Sequence, residues 1–353
     1  MITLNYTQLS LFSHDDANQE LNSPLKNQDA ERKIVTSDIS ERIINEFDIM
    51  QIPFIGCNYD MIYHQINEIL PSEEINFNEF GLEKNIACEV ICAAICHQMN
   101  WDFLRKVVFD KTKINIDWLN GEILSNISVS VVKEMLKSYS KPERIRAEER
   151  TKLLREVGKM VGRIGSYSGI FLDNEMNILP YERIRAHLLS CLTFSKDPNE
   201  KKLQLLLQKL SNIKQLKGLG KYYKPAIDYH LIRCYLRRGL ILPKTQYAEN
   251  FIINSAIQRK ESTVGAMRQL CCELIEQICW FTSLDISSVN LVEWYIGRSV
   301  CIQGKPDCFL KSKDATWLKV KFSRCPFYDN CVACQYKKEY LTIQEPTYDG
   351  TSY

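Results

Sequence analysis

The chain has 353 residues, 45% hydrophobic and 25% charged, with a formal net charge of +2. That length allows one large or two modest domains with a substantial core, and the balance excludes a fibrous or largely disordered chain. No apolar run reaches membrane-spanning length, and the start, Met1-Ile-Thr-Leu-Asn-Tyr, lacks the basic-then-apolar pattern of a secretory signal.

Residues 1–40 are rich in Asn, Asp, Ser and Gln and read as a weakly ordered polar arm. From about Asp38 the pattern turns helical: Ser40-Glu-Arg-Ile-Ile-Asn-Glu-Phe-Asp-Ile-Met places apolar residues three and four apart behind a capping serine. Residues 82–109 contain a strongly apolar helix, and 143–165 a charged one carrying Arg144, Arg146, Arg150, Arg155, Lys159 and Arg163. Two more helices fill 179–210, broken near Asp197-Pro198. Helices follow at 227–239 and 262–281, and 289–300 leads into a cysteine-rich segment. No stretch alternates as a strand does, so the fold class is all-α. The organisation read from these patterns is an arm over 1–40, a helical region over 41–296, a cysteine segment over 297–336 and a tail over 337–353.

Charge is unevenly spread. Residues 1–100 hold 5 Lys/Arg against 16 Asp/Glu, and the remainder holds 40 against 27. A basic later region suits a polyanionic partner. Fourteen cysteines in a chain this long suit a reducing cytoplasm, with most thiols acting as small core groups. Cys88, Cys92 and Cys96 fall on one face of the apolar helix, and they read as core residues, as do Cys271, Cys272 and Cys279.

The C-terminal cysteines differ. Cys301 and Cys308 are spaced C-x6-C, Cys325 and Cys331 C-x5-C, and Cys331 and Cys334 C-x2-C, all among Pro, Asp and Lys. Thiolates gathered in a loop with no histidine nearby point to an all-cysteine zinc site or a [4Fe–4S] cluster. A zinc ribbon usually pairs two C-x2-C knuckles and only one exists here, so the spacing leans towards a cluster.

The segment Trp294-Tyr-Ile-Gly297-Arg298-Ser-Val-Cys301-Ile-Gln-Gly-Lys305-Pro306-Asp-Cys308 resembles the iron–sulfur segment of helix-hairpin-helix DNA glycosylases, the endonuclease III and MutY group. That family has the spacing C-x6-C-x2-C-x5-C. This chain places sixteen residues between Cys308 and Cys325 and adds Cys334. The resemblance implies ligands Cys301, Cys308, Cys325 and Cys331, with Cys334 as the alternative fourth. Pro225-Ala-Ile-Asp228-Tyr-His230-Leu-Ile-Arg233 is similar to the family segment that opens a helix with the catalytic aspartate. In this chain that residue is Asp228, whose simplest structural role is a helix N-cap. Val90-Ile-Cys-Ala-Ala-Ile-Cys96-His97-Gln98 looks like the apolar helix and turn whose glutamine enters the DNA stack, which implies that role for Gln98.

The family's Gly-rich hairpin is truncated or absent. Leu216-Lys-Gly218-Leu-Gly220-Lys221 stands only eight residues before Asp228, too few for the usual second helix. Lys221 and Lys224 remain as candidate phosphate contacts. No lysine matches the family's Schiff-base position in sequence, so the resemblance implies a monofunctional glycosylase acting on double-stranded DNA as a monomer, with no membrane partner. The atypical hairpin and the insertion allow a specialised target, such as a hypermodified base of invading phage DNA. Two other readings stand beside it: an N-glycosidase of small modified nucleosides or nucleotides, and a non-enzymatic, metal-stabilised DNA-binding protein.

Overall fold

A computed structural model describes residues 45–50, 59–69, 77–196, 200–253 and 261–344. The expected polar arm and the last residues of the tail lie outside this range. The described chain is mostly helical, as expected, but it also holds a short antiparallel pair of strands. Strand β1 (Phe47–Ile49) pairs with β2 (Ile241–Pro243), Phe47 opposite Pro243 and Ile49 opposite Ile241. The expectation of a helix through residues 40–50 is therefore corrected at its described end. Apolar spacing there also fits a strand once a second strand supplies the backbone partners.

Two hydrophobic cores organise the rest. The first is built from residues 77–219. Its central helix, α2 (Gly81–Ile95), is buried along the whole run from Asn85 to Ile95. A helix apolar on every side belongs in the middle of a core, and here α3 (Trp101–Ile114), α6 (Ala147–Ile164), the short α8 (Leu192–Ser195) and α9 (Lys201–Ser211) pack directly on it. Helices α4 (Gly121–Ser125), α5 (Val129–Leu136) and α7 (Tyr181–Leu189) pack against α6. The apolar helix expected within 82–109 is α2, and a second helix, α3, follows it. Asn100 stops the merger by capping α3, its side chain accepting from the Phe103 N–H at 2.9 Å. Helix α6 can cross α4 closely because residue 158 is glycine: a Cβ there would lie 2.4 Å from the Ser125 nitrogen. Cys88 and Cys92 are fully buried in this core, and burial pushes the Cys88 thiol up to about 12.

The second core combines distant parts of the sequence. It joins β1 and α1 (Tyr59–Ile69) to buried residues between Ile227 and Ile343. Its helices are α10 (Tyr229–Arg238), α11 (Gln246–Ile253), α12 (Glu261–Thr282), α13 (Ile286–Ser299) and α14 (Val332–Gln335). Residues 337–344, expected as tail, are packed in place: Tyr340 and Ile343 are each 1% exposed. Gly297 brings α13 hard against α10, where an added Cβ would meet His230 Cβ at 2.9 Å. Gly239 ends α10 in the left-handed region at φ 73°, with Val332 directly above it. No helix among the described residues is long and apolar enough to cross a membrane.

Candidate functional site

Helix α10 is ten residues long, about 15 Å at 1.5 Å per residue, and a different candidate site lies at each end. Asp228 is its N-cap, accepting from the Tyr229 N–H at 2.6 Å. The capping role is therefore met, but a cap does not require what stands beside it. Lys201, the first residue of α9, brings its Nζ to 3.6 Å from Asp228 Oδ1, with the two side chains 12% and 16% exposed. The ammonium also lies 5.9 Å from the Tyr229 ring centroid. Lys201 belongs to the first lobe and Asp228 opens a helix of the second, so the ion pair bridges the two.

Burial alone would raise the Asp228 pKa. Lys201, His230, Arg268 and the Tyr229 N–H outweigh it and hold the carboxyl below the usual aspartate value. His230 is driven the other way: burial pulls it down to about 4 against the attraction of Asp228. It is therefore neutral near pH 7, with Nδ1 3.4 Å from the Arg233 guanidinium. The result is an ionised carboxylate, an amine and a neutral imidazole at one inter-lobe position.

At the other end of α10, Cys301, Cys308, Cys325, Cys331 and Cys334 line one cavity, together with Arg237, Arg238 and apolar walls that include Ile296, Val300 and Phe327. The sixteen-residue insertion does not separate the pairs. It loops out and returns, and the Cys325 N–H closes it by donating to the Cys308 carbonyl at 2.8 Å. Asp307 starts the loop by accepting from the Lys311 and Ser312 N–H groups, while Leu310, Ala315 and Leu318 anchor it in the core. Lys311, Lys313, Lys319 and Lys321 stay exposed on its outside, as does Lys305 between Cys301 and Cys308.

The donor set of this cavity is all sulfur. Cys308 Sγ and Cys334 Sγ approach to 3.5 Å, and the Arg237 guanidinium lies 3.8 Å from Cys301 Sγ. The Cys234 thiol donates to Cys301, and with Arg237 and Arg233 beside it the Cys301 thiol is held well below its ordinary pKa despite burial. Among the described residues no three His, Cys, Asp or Glu side chains close on one metal-ion position; the thiols stand round a cavity instead. Soft sulfur donors, adjacent guanidinium charge and apolar walls fit the chemistry of an iron–sulfur cluster.

No family model matches the sequence, and no curated protein matches it. Likeness to the glycosylases therefore rests on the three quoted segments.

The remaining expected residues occupy separate turns. Gln98 sits between α2 and α3 at φ 54°, an uncommon conformation for a residue with a side chain. Fully buried Arg150 holds that turn, donating to the carbonyls of Ile95 and His97 and, across a loop, to those of Arg144 and Ile145. Lys221, in the 3-10 turn Lys214–Tyr222, and Lys224 just after it are both exposed. Lys221 stacks on Tyr222, and the Lys224 N–H donates to Gln204 Oε1 at 2.8 Å.

Lys201, Arg237 and the cavity's second arginine, Arg238, were not singled out from the sequence. Lys201 precedes Asp228 by 27 positions and follows a Pro-containing break, so spacing gave no link. The run Arg233, Arg237, Arg238 carried a signal: three arginines on one short helix behind a candidate catalytic aspartate.

Proposed function

We propose that the protein is a DNA glycosylase that hydrolyses the bond between a flipped, modified base and its deoxyribose, with a [4Fe–4S] cluster stabilising its second lobe. The observation that carries this reading is the linkage through α10. One helix presents Asp228 at its start and the wall of an all-cysteine cavity at its end, and Arg233 ties both to the cysteine loop through the carbonyls of Gly297 and Cys301.

Departure of a base leaves positive charge on the sugar. A carboxylate ionised at neutral pH, as Lys201 favours for Asp228, stabilises that charge and orients the attacking water. Lys201 in turn neutralises the buried carboxylate before substrate arrives. The cysteines that would hold the cluster are Cys301, Cys308 and Cys325 with Cys331 or Cys334. Bound there, the group supplies a rigid, multivalent cross-link for the loop. The exposed lysines of that loop, with Lys221 and Lys224, supply phosphate contacts, and Gln98 fills the gap left by the extruded base.

Incubation with duplexes carrying oxidised, deaminated, alkylated or hypermodified bases tests this. Alkali-labile abasic sites are expected with at least one of them. Asp228→Asn should lower the rate at least ~100-fold, the low end of acid–base contributions, with unchanged circular dichroism. Full activity in Asp228→Asn would refute the assignment.

Lys201 favours a second version of the same reaction. After its ammonium passes a proton to Asp228, the Lys201 amine could attack the anomeric carbon as the C–N bond to the base breaks, the base leaving with that proton and an imine forming after ring opening. Borohydride would then reduce the imine and tether DNA to the protein. Hydrolysis predicts abasic product and no tethered species, while a tethered species lost in Lys201→Ala would establish the amine route.

A further inference from the structure

Five thiols line the cavity, whereas a four-iron cluster takes four protein ligands. We infer that Cys331 and Cys334 are interchangeable fourth ligands, one binding while the other waits beside it. This rests on the cluster reading above. Cys331 is the N-cap of α14 and Cys334 lies within its single turn, the Cys334 N–H donating to the Cys331 carbonyl at 3.0 Å. Both thiols line the same cavity. Cys334 Sγ lies 3.5 Å from Cys308 Sγ and also hydrogen-bonds the Cys331 thiol. It therefore stands between an expected constant ligand and its rival. Cys331 Sγ is held from the other side by the Arg237 carbonyl, 3.6 Å away.

The other three positions have no such duplicate. Cys301, Cys308 and Cys325 come from separate turns. Cys234, which hydrogen-bonds Cys301, is fully buried on α10 and is not part of the cavity lining. Val332 and Ala333 between the paired cysteines need not move for an exchange, since both thiols already lie at the wall. Loss of either thiol by alkylation or oxidation would then leave a complete set of four.

The test uses full-length protein purified without oxygen, with iron and acid-labile sulfide counted and the visible spectrum recorded. Cys331→Ala and Cys334→Ala should each keep the wild-type content of about four irons per chain. The double variant and Cys308→Ala should lose most of it. A second measurement needs no variant: iodoacetamide on loaded wild-type protein, followed by peptide mapping, should label Cys331 and Cys334 in a mixed population with iron retained. Label on only one of them, or a single variant as iron-poor as the double, overturns the exchange. Wild-type protein that carries no iron or sulfide refutes the cluster reading instead.

Discussion

Glu293→Ala probes the buried charge network beneath the cysteine cavity. Glu293 is 0% and Arg238 4% exposed. Arg238 Nη1 lies 2.8 Å from each Glu293 oxygen, Tyr59 donates to the same carboxylate, and the guanidinium stacks 3.7 Å from the Phe327 ring centroid. The network thereby joins α1, α10, α13 and the cysteine loop. Burial works against the Arg238 charge, but Glu293 and Tyr59 outweigh it and raise its pKa. Removing the carboxylate leaves that cation with the Tyr59 hydroxyl, 3.1 Å away, and the faces of Phe327 and Tyr235. Breaking one side of a buried pair costs about 3–5 kcal/mol, which bounds the expected loss. Urea unfolding should show this as a lower midpoint at similar slope. Arg238→Met combined with Glu293→Leu removes both charges and should recover most of the loss, since an apolar pair of similar volume often matches a buried ion pair. A loss below about 1 kcal/mol for the single variant, or a double variant no better than the single, would refute the reasoning.

Acid should destabilise the fold through two histidines. His97, buried with Nε2 3.6 Å from Glu149 Oε1 and no hydrogen bond at either ring nitrogen, is lowered to about 2, and His230 to about 4, both chiefly by burial. The unfolded chain takes up these protons near pH 6.5 and the folded one does not. Their contribution is therefore complete above about pH 6.5 and shrinks as pH falls, approaching about 1.4 kcal/mol per pH unit for each histidine. The His230 loss levels off below its folded pKa. His97→Leu should flatten that slope in unfolding measured from pH 7 to 5, and an unchanged slope contradicts it. Gly239→Ala forces a side chain onto a φ of 73° and a Cβ to 2.3 Å from Val332 Cγ2. It should cost about 1–3 kcal/mol in thermal unfolding and lower iron content, because Val332 lies between Cys331 and Cys334; wild-type values in both would show that the contact yields. Lys221→Ala and Lys224→Ala should each reduce the slope of log affinity against log salt on duplex DNA by about 1. Unchanged slopes would remove these residues from the interface.

Much of the architecture follows local patterns that the sequence displays openly. The unbroken apolar run of α2 and the helices around residues 147–164, 229–238 and 261–282 are cases where periodicity matches burial. The convergence of five cysteines was legible because sulfur donors gathered in a polar, Pro-containing loop have few other uses. What local pattern hides is long-range closure. Residues 47–49 become a strand only because Ile241–Pro243 returns beside them, and α1 joins the second core across the whole intervening lobe. Arg238 and Glu293 look like surface charges in sequence and are core residues, because each supplies what the other needs. Lys201 was invisible for the same reason: its significance is a distance to Asp228, set by how α9 and α10 meet.

The most direct test of the central claim is the bond itself. Wild-type and Asp228→Asn proteins would be incubated with duplexes carrying the modified-base panel, and low-mass products identified by mass spectrometry. The account predicts free base released by the wild type, with the strand left abasic, and at least ~100-fold less from the variant. Release of nucleotides, equal release by both proteins, or no base from any duplex despite salt-sensitive DNA binding would contradict it.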